Sequence, residues 1–166
     1  QILENLGYGD VPVYSPTSED SYGEFPETAK NFRSLAWRGF LTMDYLRKFL
    51  FKTRPYEKEK GSANAVYGHF VKLAIEDIER GGHKIPIIMA EAFGQNRKII
   101  DPSIAKKPVI GIIGEIYIRN NSYSNNYLIE KLESLGVEAD LAGFSEWIYF
   151  TTEMFRRDSW RNKSLK

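Results

Sequence analysis

The chain has 166 residues, with 23 Lys+Arg against 22 Asp+Glu and an aromatic content of 14%. That size suits one domain or one large piece of a multidomain protein, and the aromatic content marks an ordered globular chain. Balanced charge gives no general affinity for polyanions, and the absence of cysteine excludes disulfides and any iron–sulfur or thiolate-zinc site ligated from within.

The chain opens on Gln1-Ile-Leu-Glu-Asn-Leu-Gly7, which reads as the tail of a helix closed by glycine and so as the start of a segment cut from a longer protein. Val11 to Tyr14 is the expected first strand, and Ser15 to Gly23 is a loop at its carboxyl end. Pro26 suits the first turn of a long helix in which Phe32, Ala36, Phe40, Met43, Leu46 and Leu50 recur at helical spacing. Pro55 and Gly61 bracket a charged break. Ser62 is expected to cap a second helix, with Val66, Phe70, Leu73 and Ile78 on one face and Gly81-Gly82 at its end. For His83 to Gln95 two readings compete: Pro86 at a helix start favours helix, whereas Ile85 to Met89 also fits a strand, and helix is preferred.

The β-branched run Val109 to Ile113 reads as a buried parallel strand, followed by a helix from about 123 to 135 capped by Ser122 or Ser124. A strand at 137–142 and a helix from Ser145 to about Arg157 complete the alternation. The expectation is an α/β fold: a three-layer Rossmann-like domain with a short parallel sheet and a long helical first crossover. Residues 1–157 form that single domain, and 158–166 are a polar, basic tail.

In open α/β sheets ligands sit outside the carboxyl ends of the strands, so the loop after Ile113 is the first place to look for function. If the strand alternation continues along Glu115-Ile-Tyr-Ile-Arg119, then Glu115, Tyr117 and Arg119 point to one side, beside Asn120, Asn121 and Asn125. Such a set can grip a polar ligand or an opposing domain. Equally, Glu115 can pair with Arg119 or a helical arginine while the asparagines make turns. Gly111-Ile-Ile-Gly114 is neither a dinucleotide fingerprint nor a P-loop, and Glu115 would repel a phosphate at the helix entrance. Arg54-Pro-Tyr-Glu57 reads as a lock between a helix end and its neighbour. In Phe144-Ser-Glu-Trp147, an N-cap role explains Ser145 without catalysis. Glu76, Asp77 and Glu79 look like a solvated face, and Glu91, among small apolar residues, is expected to be partly buried. His69 and His83 stand far apart, so no metal site is expected. Trp37-Arg38 has no basic stripe around it to support nucleic-acid binding, and no apolar run of about 18 residues is present to span a membrane.

Three separated strings occurring in order, Arg54-Pro-Tyr-Glu57 with Gly61, Gly111-Ile-Ile-Gly-Glu-Ile-Tyr-Ile-Arg-Asn-Asn121 and Phe144-Ser-Glu-Trp147, resemble the carboxy-terminal region of CoA-substrate-specific enzyme activase proteins, related to the 2-hydroxyacyl-CoA dehydratase component family. The similarity runs from about residue 10 to 157. It implies a cytoplasmic, Rossmann-like domain of a multidomain anaerobic redox protein. In such systems an ATPase activator passes low-potential electrons to a cluster-bearing partner that acts on acyl-CoA. The iron–sulfur cluster and ATP would belong to the full-length parent, with no cofactor in this segment. Its partners would be the other domains of the parent chain and an acyl-CoA enzyme, with neither nucleic acid nor membrane. Mapped onto the matching strings, the candidate ligand-binding residues are Glu115, Tyr117, Arg119, Asn120, Asn121, Ser145 and Glu146, with the catalytic residues unassigned. Two readings stay open: polar loops completing a ligand site between domains, or a scaffold and docking domain without chemistry of its own.

Overall fold

A computed structural model of the chain describes residues 2–11 and 31–164. Two compact units are present, Gln1–Ser34 and Leu35–Lys166. In the first, the short helix α1 (Ile2–Asn5) ends at Gly7, whose φ of 81° only glycine adopts readily. Val11 is an exposed bend residue. The rest of the expected first strand, the Ser15–Gly23 loop and the Pro26 helix start lie outside the described residues.

The second unit is mostly helical, with one two-stranded parallel sheet, a small α/β arrangement. Helix α2 (Phe32–Thr53) buries Thr42, Leu46, Leu50 and Thr53 at spacings of three and four, so one stripe faces the interior. A 3-10 turn at Arg54–Tyr56, with Pro55 at its start, leads towards α3 (Ser62–Glu79), and Gly81 and Gly82 at φ 103° and 70° turn the chain into α4 (Ile85–Ile99). Pro86 sits in the first turn of α4, where its missing N–H costs nothing, and the 83–95 segment is helical, as preferred above, from Ile85 onward. Strand β1 (Val109–Ile112) is followed by α5 (Ile116–Asn120), α6 (Leu128–Ser134), β2 (Glu138–Leu141) and α7 (Phe144–Ser164). The strands pair in parallel from Val109↔Glu138 to Ile112↔Leu141.

Two apolar clusters hold the unit together. Leu46, Phe70, Ala74, Ile88 and Ala92 join α2, α3 and α4. Leu50, Phe51, Ala63, Ile112, Ile129, Ala139 and Leu141 join α2 and α3 to the sheet and α6. Tyr67 packs against both.

Several local expectations are corrected. Ser62 is the first residue of α3 rather than its cap. The carboxylate of Glu57 instead accepts from the N–H groups of Gly61 and Ala63, both at 2.8 Å, because Gly61 at φ 97° turns these amides towards it. The helix expected over 123–135 begins only at Leu128. Asn126 and Tyr127 adopt φ of 56° and 55°, and Asn125 Oδ1 accepts from Leu128 N at 3.2 Å, so turn-forming asparagines displace Ser122 and Ser124 as the start signal. Residues 158–164 continue α7 instead of forming a separate tail, and Glu153, paired with Arg156 and Arg157 at 2.7 and 2.9 Å, lies one turn before them.

The Arg54-Pro-Tyr-Glu57 string fastens the amino end of the sheet. Arg54 meets Glu133 of α6 with two bonds, Nε–Oε2 at 2.6 Å and Nη2–Oε1 at 3.0 Å, its guanidinium lying 5.5 Å from the Phe51 ring centre. Tyr56 donates to Glu138 at 2.8 Å and accepts from Lys107 N at 3.1 Å, tying the turn to the entries of both strands. Burial pushes the Glu133 carboxyl above its ordinary range, and the Arg54 guanidinium pulls it back. Both side chains are largely shielded, at 16% and 12% exposed. Arg54→Met should therefore strand a buried carboxylate and cost about 3–5 kcal/mol in chemical denaturation, whereas Arg54→Met with Glu133→Leu should recover most of that loss.

Candidate functional site

The candidate residues gather at the carboxyl ends of β1 and β2, where two loops enter α5 and α7. After β1, Gly114 at φ 139° turns the chain, and Glu115 caps α5 by accepting from Ile118 N at 2.8 Å. The N–H groups of Ile118 and then Tyr117 hold the Glu115 carboxyl below its usual range. Because 116–120 is helical, successive side chains turn by about 100°, so Tyr117 and Arg119 do not share a side as strand alternation would require. The cap that Glu115 supplies is the physical reason for that correction: it starts a helix where a strand was extended in expectation.

Arg119 turns back across the sheet edge. Its Nη1 donates to Gly114 O at 2.7 Å and its Nη2 to Gly143 O at 3.2 Å, joining the loop after β1 to the loop after β2. Its buried Nε has no partner among the described residues. Asn120 accepts from Arg47 of α2 through Oδ1 and donates to Ile116 O at 2.7 Å. Asn125 donates to the carbonyls of Ile118 and Arg119 at 3.1 Å, satisfying the end of α5. Asn121 donates to the Tyr117 hydroxyl at 2.9 Å, and the Tyr117 side chain lies exposed at 65%.

The loop after β2 depends on a residue that the sequence reading did not single out. Asp44, from α2, accepts from Phe144 N at 3.1 Å and Ser145 N at 2.7 Å, so it caps α7 from a distance of 100 residues in the chain. A Cβ on Gly143 would come within 2.8 Å of the Asp44 carboxyl group, which explains glycine there. Ser145 is buried behind this contact as a residue of α7, and its expected N-cap role passes to Asp44. Glu146, half exposed, pairs with Lys48, and that hydrogen bond raises the Lys48 amine above its usual range. Asp44, Arg47 and Lys48 are three and four residues apart on α2, a polar face that could have been read as aimed at the sheet edge.

These groups enclose little space. The cleft lined by Asp44, Arg47, Lys48, Phe51, Asn120, Leu141 and Gly143 has room for about one water molecule (about 10 Å³). An anion approaching the start of α7 or α5 would meet the carboxylates of Asp44 and Glu115 already there. The chain has no thiolate to ligate an iron–sulfur cluster and no Gly-Lys-Ser/Thr string of the P-loop kind. Elsewhere, α3 and α4 form an open groove of about 480 Å³ with His69, Glu91, Gly94 and Lys98 in its lining; Glu91 is exposed there, not partly buried.

The site thus brings Glu115, Arg119, Asn120, Ser145 and Glu146 to one edge and binds them to the chain itself; Asn121 is bonded to the Tyr117 hydroxyl and the Ser124 amide, and Tyr117 is exposed. No protein-family model, no curated protein and no solved structure gives a significant match to the chain.

Because its folded carboxyl group titrates below the unfolded one, Glu115 adds stability that is fully present above the ordinary glutamate range and is lost as pH falls through the depressed value. An NMR titration should place the Glu115 midpoint below the ordinary glutamate range, with the Ile118 amide shift following the same curve. A midpoint within that range would contradict the cap.

Proposed function

We propose that this chain is a scaffold and docking domain of a CoA-substrate-specific enzyme activase or 2-hydroxyacyl-CoA dehydratase-like redox protein. One observation carries the non-catalytic part of that reading: the polar loop groups suited to holding a ligand are already hydrogen-bonded within the chain. The resemblance of three ordered strings supports the family, and each string makes a contact that fastens the sheet: Arg54 and Tyr56 at one end, Arg119 and the Gly143–Ser145 entry at the other. In this reading the two strands belong to a larger, three-layer Rossmann-like sheet, and the parent is a cytoplasmic protein. ATP hydrolysis and the iron–sulfur cluster reside in other domains or in an acyl-CoA enzyme partner. Exposed aromatic side chains on α7, among them Phe150 at 63% and Phe155 at 75%, supply surface for docking.

The second reading, a ligand site completed between domains, draws on the exposed Tyr117–Asn121 pair and on the unpartnered Nε of Arg119. Thermal melts and calorimetric titration with an acyl-CoA separate the two. On the scaffold reading Arg119→Ala loses two bonds to carbonyls and costs about 1–3 kcal/mol, a fall of several degrees in Tm, while Tyr117→Ala melts as the unaltered chain does. An Arg119→Ala variant of unchanged Tm that loses acyl-CoA binding shown by the unaltered chain would overturn it.

A further inference from the structure

Among the described residues, the non-glycine residues with positive φ are Asn126 at 56° and Tyr127 at 55°. Asparagine enters this left-handed region readily, but a tyrosine there sets its Cβ against the following carbonyl oxygen. Burial does not offset that strain, since Tyr127 is 52% exposed and its side chain makes no capping bond to α6. Glycine or asparagine would close the same turn with less strain. Strain held at an exposed aromatic residue points to recognition rather than to packing.

Tyr127 lies in a run from Asn120 to Ile129 without a charged residue, in a chain of which 27% is charged. The backbone of this loop between α5 and α6 closes on itself. Tyr127 N donates to Ser122 O at 2.7 Å and Asn126 N to Tyr123 O at 3.1 Å, which sets Tyr123 and Tyr127 across one tight turn. Asn121 and Asn125 brace it by accepting from the Ser124 and Leu128 amides at 3.1 and 3.2 Å. The outward groups are left open. The hydroxyls of Ser122, Tyr123, Ser124 and Tyr127 and the side-chain amide of Asn126 are exposed and make no hydrogen bond among the described residues. Tyr123 is 83% exposed, and Tyr117, tethered to Asn121 through its hydroxyl, adds a further exposed ring beside the turn. A braced turn thus presents aromatic rings among neutral hydroxyl and amide groups.

We infer that the turn between α5 and α6 binds a neutral carbohydrate. The open groups select that class. Each sugar hydroxyl both donates and accepts, as do serine and tyrosine hydroxyls and an asparagine side-chain amide, and the apolar C–H face of a pyranose ring can stack on an exposed tyrosine. A phosphate or carboxylate would find no cation within the run. A protein partner would have to desolvate the open polar groups around too few rings to form an apolar centre. The bonds that close the turn fix it before any ligand arrives, which lowers the entropy lost on binding. This goes beyond the scaffold reading and does not depend on the family, because the open groups are not those fastened at the sheet edge.

The test is an amide NMR titration of the chain with maltohexaose, cellohexaose, mannohexaose and chitohexaose, beside polygalacturonate as an anionic control. At least one neutral sugar should shift the amides of residues 122–127 saturably, and polygalacturonate should not. Tyr123→Ala and Tyr127→Gly should each weaken binding of that sugar about tenfold or more. Tyr127→Gly should at the same time keep or raise Tm, because glycine takes a φ of 55° without strain. That pairing of weaker binding with undiminished stability is what a merely structural tyrosine would not give. No saturable shift with any of these sugars would overturn the proposal, as would an equal response to polygalacturonate. So would unchanged affinity in both variants, or a lower Tm in Tyr127→Gly. The scaffold reading stands or falls separately, on the Arg119→Ala melt.

Discussion

The amides that begin a helix have no partner within it, and this chain meets that constraint with carboxylates drawn from outside the helices they serve. Asp44 caps α7, Glu115 caps α5 from the residue before it, and Glu57 caps α3 across a glycine turn. Each arrangement fixes where the next segment starts. Asp44 matters most, since it fastens α2 to the exit of β2 and so sets the spacing in which the Arg119 clamp closes. The polar character of the loops follows from these demands before any ligand is considered.

The two ends of the short sheet are held by different means. At the amino end a shielded Arg54–Glu133 pair and the Tyr56 hydroxyl tie the α2–α3 junction to α6 and β2. At the carboxyl end, bonds from Arg119 to two carbonyls and from Asp44 to two amides join loop to loop and loop to helix. A two-stranded sheet is marginal alone, and fastening at both ends together with the apolar cluster beneath it compensates for its size.

Much of the second unit was legible in the sequence because its signals are local. The β-branched run from Val109, the glycine stops at 81–82 and Pro86 at a helix start each act within a few residues, and the parallel pairing follows from strand–helix–strand order. The burial expected for 109–113 is not found: the strand ends at Ile112, which alone of the run is buried, with Val109 and Ile110 exposed. The candidate site was legible in composition but not in geometry. Glu115 through Arg119 carries two β-branched residues that suit a strand, yet one carboxylate bonded to the Ile118 amide starts a helix instead. Asp44 stands on a polar face of α2, but nothing local names its partners, which are 100 and 101 residues away. The asparagines were ambiguous for a chemical reason: the amide that grips a ligand also closes turns, and here Asn120 and Asn125 do the latter.

The central claim is that the polar groups at the sheet's carboxyl edge, Arg119 Nε apart, are satisfied by the chain itself. Residue-resolved hydrogen exchange of the Ile118, Phe144 and Ser145 amides measures this most directly. The account predicts slow exchange at all three in the unliganded chain, with Asp44→Ala releasing Phe144 and Ser145 while Ile118 stays protected. Fast exchange at Phe144 and Ser145 in the unaltered chain would contradict it, because those amides would then be free to receive a ligand.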